Sequence, residues 1–340
     1  MFTGNAPIRI SNNRFIGLAK QACAAGILST LTAFVAPAGA QEWPQRTVRL
    51  ILPFGPASAT DIAARLISDE LATRWGKPVI VENRPGGDNL IAISAFLSVK
   101  DDHALFFTSS AAFLAHPFVH KKLDYDFDRD FAPIAKVADT ILVVAVPTEL
   151  KIEDVRQFVR LARDKPETIN LAGATGLPEF AIDAFLKSEN LKSVRVPYKD
   201  LAAAARDLAE GRIHFLLTSY ASVRPFVEAG KVRIIAAGSK SRIASLKDVP
   251  SIPESGYPIL AMETSVTILG RQDMPIELRK KIAADVAQVL SDPRVRERIA
   301  STGQDVSPAG PDELAEVLRS QFSYAQSIAR TLGIANKVGN

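Results

Sequence analysis

VRLILPFGPASATD, residues 48–61, decides how this chain is read. Val48–Leu52 is a short apolar run of strand length, with one Arg interrupting it. Pro53, Gly55 and Pro56 then stop further pairing and force a turn. Thr60 offers a helix-start side chain, and Ile62, Leu66, Ile67, Leu71 and Trp75 follow at helical spacing. A buried strand, a tight turn and a helix start aim free backbone N–H groups and the positive end of a helix at one point. Such a point attracts anions. An ordinary βα connection in an α/β sheet has the same pattern. No catalytic side chain sits in the loop, so it reads as a place to hold something.

Residues 1–40 have the features of a secretory leader. Arg9, Arg14 and Lys20 give a basic start, Ala22–Ala36 is uncharged and mostly small or apolar, and Ala38-Gly39-Ala40 is an A-x-A cleavage site. The single cysteine, Cys23, is placed to leave with the leader. A chain starting at Gln41 keeps 38 of the 41 basic residues against 37 acidic ones, close to neutrality. The basic pI of the whole chain is therefore partly a leader effect, and gives no reason to expect nucleic acid or a membrane surface as partner. Export without disulfides points to a bacterial periplasm and to stabilisation by an apolar core alone.

Strand-like and helix-like segments alternate along the rest, which predicts an α/β fold with mainly parallel sheets. Strands are expected at Lys77–Glu82, Ala104–Phe107, Ile141–Val146, Thr168–Leu171, Ser193–Val196, Arg212–Leu217, Val232–Ala236 and Thr264–Leu269. Helices at Pro275–Leu290, Pro293–Ser301 and Pro311–Thr331 close the chain, with no strands of their own. Such a length exceeds one core, so two lobes are expected: 41–143 with 266–340, and 144–265.

Motifs that carry chemistry are mostly missing from the sequence. G-x-S-x-G, Walker, G-x-G-x-x-G and C-x-x-C motifs are absent, so neither a cofactor nor a catalytic group is expected. His116 and His120 have metal-pair spacing, but Pro117 between them disfavours a helix, and both read as surface or loop histidines, with no metal. The acidic stretch Asp124–Asp130 lacks the glycine and glutamate of a calcium loop and reads as a solvated loop. Loops rich in Gly, Ser, Thr and Pro remain: Phe54–Asp61, Thr108–Ala112 and Gly173–Glu179, with Pro197-Tyr198-Lys199. Each follows a strand, where α/β sheets bind ligands.

Trp43-Pro44-Gln45-Arg46-Thr47-Val48-Arg49, PFGPASATD at 53–61, VENRPGG at 81–87, DFAPIAKVA at 130–138, VPYKD at 196–200, EAGKVRIIA at 228–236 and LKDVPSIPESGYP at 246–258 follow one another in an order that resembles the Bug family, the solute receptors of tripartite tricarboxylate transporters. The resemblance implies a type II periplasmic binding protein: two α/β lobes with a hinge, closing on a carboxylated metabolite delivered to membrane permease subunits. A monomer is expected. It also implies ligand contacts at Phe54, Ser58, Ala59, Thr60 and Asp61, with Thr108 and Ser109 beside them. Gly173, Ala174, Thr175, Gly176, Tyr198 and Lys199 would meet the ligand's other end.

Departures from the family pattern bear on the ligand. Ala57-Ser58 replaces paired glycines, and Asp88-Asn89 stands where glycines are usual. Glu179 would bring negative charge to the second lobe, so that this lobe takes a neutral, aromatic or amino-bearing end; alternatively it only complements a helix N-terminus. His214 and Thr218-Ser219 occupy positions that are usually acidic or amide. Two further classes stay open: a ligand sensor on the same scaffold serving a two-component kinase, and a periplasmic enzyme.

Overall fold

The computed structural model describes residues 43–174, 176–198, 201–239, 242–243 and 246–334. The expected leader with Cys23 lies outside these residues, as do Thr175 and Lys199. Among the described residues no helix is long and apolar enough to cross a membrane.

The strands are β1 (Val48–Leu52), β2 (Val79–Asn83), β3 (Ala104–Ser109), β4 (Phe131–Thr140), β5 (Leu142–Pro147), β6 (Asn170–Gly173), β7 (Val194–Arg195), β8 (Phe215–Ser219), β9 (Val232–Ala237), β10 (Thr264–Arg271) and β11 (Gln304–Ala309). Between them lie α1 (Ala59–Trp75), α2 (Leu90–Ser98), α3 (His116–Val119), α4 (Phe127–Asp130), α5 (Val155–Asp164), α6 (Leu177–Ser188), α7 (Leu201–Ala209), α8 (Tyr220–Glu228), α9 (Ile252–Ser255), α10 (Ile276–Leu290), α11 (Pro293–Ala300) and α12 (Pro311–Leu332). They form two sheets, ordered β11-β4-β10-β3-β1-β2 and β7-β6-β8-β5-β9.

Both sheets are mixed, which corrects the expectation of mainly parallel pairing. β1 pairs in parallel with β2 and β3, and β6 with β7 and β8. The strands by which the chain enters the second sheet and returns to the first, β5 and β10, instead run antiparallel to both of their neighbours. β4 is the last strand of the first sheet before the chain leaves it, and β10 re-enters beside β4 in the opposite direction. Ile141 alone separates β4 of the first sheet from β5 of the second.

Two strands had no sequence-based expectation. β4 carries Pro133 and Lys136, which break its apolar pattern. Pro133 faces Leu269 at a register shift, where a missing N–H is tolerated. β11 lies between α11 and α12 and pairs with β4, so the C-terminal helices do bring a strand of their own. Its sequence, QDVSPA, is too polar to read as a core strand.

The cores follow the sheet faces. Phe96, Phe106 and Phe131 pack together under the first sheet, with ring centroids 5.5–5.8 Å apart. Phe158, Phe185 and Phe215 do the same under the second. Phe118 of α3 stacks on Phe180 of α6 at 6.1 Å and meets Phe322 of α12 at 5.7 Å. An apolar seam therefore runs between the two sheet systems, and α12 packs against both β4 and α6.

Candidate functional site

Strand direction puts the expected loops on two edges. β3 and β4 run antiparallel to β10, so the carboxyl ends of β1, β3 and β4 share one edge of the first sheet. Leu142 at the start of β5 pairs with Ser219 at the end of β8, and Val143 with Ala237 at the end of β9. The carboxyl ends of β6, β8 and β9 thus share one edge of the second sheet. The single residue Ile141 joins these edges. Gly176, after β6, lies so close to the turn after β3 that a Cβ on it would stand 2.8 Å from the Ala111 carbonyl oxygen.

On the first edge the turn after β1 is organised around Asp61. Its buried carboxylate accepts from the Ala57 N–H at 2.9 Å, from Arg65 Nε and a second Arg65 nitrogen at 3.0 Å, and from Asn83 Nδ2 at 2.8 Å. Asn83 Nδ2 also donates to the Phe54 carbonyl at 2.9 Å, tying the turn to the end of β2. Burial by itself would raise the Asp61 pKa, but these bonds outweigh it and hold the carboxyl below its usual range. Both carboxylate oxygens are engaged inside the protein, so Asp61 shapes the loop.

The helix cap is Ser58, whose side chain accepts from the Asp61 N–H at 3.2 Å; Thr60, expected to start the helix, is a buried residue of its first turn. The side chain three residues before Asp61 captures that N–H first. Ala59 and Thr60 are in the first turn, where no helix carbonyl can satisfy their N–H groups. N–H groups at such a helix start suit an anion.

Next to them, the Thr108 hydroxyl donates to the Ser109 carbonyl at 3.2 Å, and the Ser110 hydroxyl accepts from the Ser265 N–H at 2.9 Å. A polar chain continues from there. Ser265 Oγ donates to Asp139 at 2.8 Å and accepts from Gln321 at 3.1 Å, while Ser307 and Lys136 donate to Asp139 at 2.6 and 2.8 Å. This network lies beside the Ile141 crossing and links β4, β10, β11 and α12.

On the second edge Gly173 is fully packed: a Cβ there would meet the Pro178 and Glu179 backbone at 2.8 Å. The Ala174 N–H donates to Leu217 at 2.9 Å, and its carbonyl accepts from the Glu179 N–H at 3.0 Å. Gly176 precedes α6 with φ 91°. Glu179 is ion-paired with Arg195, which also contacts Asp183 at 2.5 Å. The negative charge foreseen at Glu179 is thus met by a guanidinium. Tyr198 donates to Asp207 at 2.6 Å; burial first, then that bond and its charge, push the phenol up to about 12.

Two residues change their standing. His214 lies at the opposite end of β8, accepting from the Asn170 N–H at 3.0 Å, and so is remote from these edges. Thr218 is at the correct end and fully buried, with a hydroxyl that has no hydrogen-bond partner among the described residues.

His116 corrects the expectation of surface histidines. Pro117 occupies the first turn of α3, where its missing N–H costs nothing, so a short helix forms and buries His116. Burial lowers its pKa to about 4, further lowered by His120 and opposed by Asp88. Nearby, the acidic stretch is partly ordered: Asp126 caps α4, Tyr125 is buried, and Phe127 stacks on Phe113 at 5.0 Å.

Residues 63–334 match the family model described as "Tripartite tricarboxylate transporter family receptor". A UPF0065 protein of Bordetella bronchiseptica is 28% identical over 319 residues, covering 94% of each chain. A solved periplasmic transporter is 28% identical with a TM-score of 0.75, over 86% of this chain and 99% of that one. An R. palustris protein solved with adipate is 26% identical, with the same TM-score and the same coverage. The two-lobed α/β architecture is that of periplasmic binding proteins, and this chain belongs to the tripartite tricarboxylate transporter receptor family.

Proposed function

We propose that this protein captures a carboxylated small metabolite in the periplasm, between the two carboxyl-end edges, and presents it to membrane permease subunits. The observation that carries this is the apposition of edges lined by chain amides and hydroxyls, with Gly176 against Ala111. The adipate-bound relative supports an organic acid as ligand. Export would follow from a leader at 1–40, and the protein would act as a monomer and not as an enzyme.

The first edge would hold one carboxylate through the N–H groups of Ala59 and Thr60, with Phe54, Ser58, Thr108 and Ser109 around it. Asp61 would keep that loop in shape. Gly173, Ala174, Gly176 and Tyr198 would line the second edge, with Thr175 and Lys199 completing it. The lobes would be 41–143 with 266–340, and 144–265, closing about the crossing at Ile141. Ligand contacts to both lobes would shift the balance toward the closed form. One guanidinium, Arg195, serves two carboxylates at Glu179 and Asp183, which favours a distal ligand end other than a second carboxylate.

Calorimetry with adipate, succinate, citrate and benzoate, together with mass spectrometry of co-purifying small molecules, tests the proposal. Saturable 1:1 binding of an organic acid is expected. Preference for adipate or succinate over benzoate would remove the charge argument at Glu179 alone. Turnover of a bound acid by the purified protein, or failure to bind any, would overturn the receptor reading.

A further inference from the structure

We propose that Asp88, His116 and His120 form a binding site for a divalent cation of the zinc class. Their ligand atoms lie within 4.8 Å of one another. His120 Nε2 stands 2.8 Å and His116 Nε2 3.5 Å from the same oxygen, Asp88 Oδ2. Tetrahedral zinc with bonds of 2.0–2.1 Å spaces its ligand atoms about 3.3 Å apart. Both spacings from Asp88 Oδ2 lie within about half an ångström of that value.

The fold builds this arrangement from separate segments. Asp88 and Asn89 both adopt left-handed backbone, with φ of 51° and 67°. Asn89 Nδ2 donates to the Ala112 carbonyl at 3.1 Å, which fixes the loop over the start of α3. One turn of helix then brings the two imidazoles together, edge to face at 5.0 Å.

His116 supplies an independent observation. Its side chain is 3% exposed, and Nε2 is buried without a hydrogen-bond partner while facing Asp88. Such an atom is costly unless something meets it. The other ring nitrogen is 2.7 Å from the buried Tyr125 hydroxyl; a proton on Nδ1 donated there leaves the Nε2 lone pair for an ion, the usual outer arrangement of a metal-bound histidine. Two imidazoles and one carboxylate select borderline transition ions over calcium or magnesium. Asp88 is partly exposed, which gives access from solvent and room for a fourth ligand such as water. Bound, the ion would staple the loop after β2 to α3, whose Phe118 packs on Phe180 and Phe322.

A second group, Asp101, Asp102 and His103, offers only one imidazole, from three consecutive residues. It serves as the internal control. The full chain, stripped with EDTA, is titrated with Co²⁺ by visible absorption and calorimetry, with Zn²⁺ as competitor. One equivalent with tetrahedral d–d bands, displaced by Zn²⁺ and raising the melting temperature, is expected. His120→Ala and Asp88→Asn should each lose saturable binding, whereas Asp102→Asn should keep it. Circular dichroism of the metal-free variants checks that both still fold. The site is refuted if the wild-type chain shows no saturable binding, if both variants retain it, or if only Asp102→Asn abolishes it. Neither result depends on which organic acid the protein carries.

Discussion

Gly176 faces the carbonyl oxygen of Ala111 with space for a hydrogen and not for a methyl group: an added Cβ would stand 2.8 Å away. The two residues come from loops after β6 and β3, so their contact measures how closely the two sheet edges approach. Gly176 also has φ 91°, where an L side chain is strained. Gly176→Ala should therefore destabilise the protein by about 1–3 kcal/mol and weaken ligand binding at least tenfold. Thermal denaturation and calorimetry read the two effects. Small-angle scattering should show a larger radius for the ligand-saturated variant than for the ligand-saturated wild type. Unchanged affinity would mean the edges need not meet when ligand binds.

Asp61 of α1 holds Ala57, Arg65 and Asn83 at once, although Asn83 belongs to β2. Asp61→Ala leaves the amide of Asn83 and the guanidinium of Arg65 without that acceptor, and should cost about 2–4 kcal/mol. Because the loop carries the donors of Ala59 and Thr60, binding of an organic acid should weaken too. Asp61→Asn keeps the shape but loses the charge, and should fall between wild type and alanine in denaturant midpoint. A midpoint equal to wild type for Asp61→Ala would show that the network does not order the loop.

Acid sensitivity follows from carboxylates of this kind. Asp285 accepts from Arg74 at 2.5 Å, Trp75 at 2.8 Å and Lys281 at 3.1 Å, joining α1 to α10. Its burial would raise its pKa, yet the three donors overcome this and hold it below the usual value. Asp61 behaves alike. A carboxyl depressed in the folded state gives stability that is present above its unfolded pKa, about 3.9, and lost as pH falls through the folded value. Stability should be flat from pH 7 to about 5 with respect to these groups and fall below about pH 4. Asp285→Asn should lower the plateau by about 1–3 kcal/mol and flatten that acid limb. Urea denaturation at pH 7, 5, 4 and 3 checks this; identical acid slopes for both proteins would show that Asp285 is not linked to folding.

Much of the first edge was legible because β1, its turn and α1 obey local rules: an apolar strand, Pro and Gly in the turn, and an apolar stripe at helical spacing. The loops expected to bind ligand were legible by composition alone. The approach of Gly176 to Ala111 was not, since it depends on Ile141 passing the chain between sheets and on Phe118 meeting Phe180. β4 hid behind Pro133 and Lys136, whose tolerance depends on the register shift with β10. Ser58, not Thr60, caps α1 because hydrogen-bond geometry in the turn favours the earlier hydroxyl, a distinction that cap propensity does not make. His116 and His120 were separated from Asp88 by a loop whose path rests on two left-handed residues, and no periodicity reports that.

Ala57 completes the turn after β1 in the left-handed region, with φ 64°. The backbone there has a conformation that favours glycine, with a methyl group attached. For an L residue that conformation costs about 1–2 kcal/mol. Glycine removes the strain but adds about 0.5–1 kcal/mol of entropy loss on folding. Ala57→Gly should therefore stabilise the protein by about 0–1.5 kcal/mol, with an unchanged denaturant slope. The Ala57 N–H to Asp61 bond survives the change, so the donors of Ala59 and Thr60 stay in place and affinity for an organic acid should be equal or higher. Guanidinium denaturation and calorimetry on the same preparation separate the two effects. A lower midpoint would show that the methyl group contributes packing that outweighs the backbone strain.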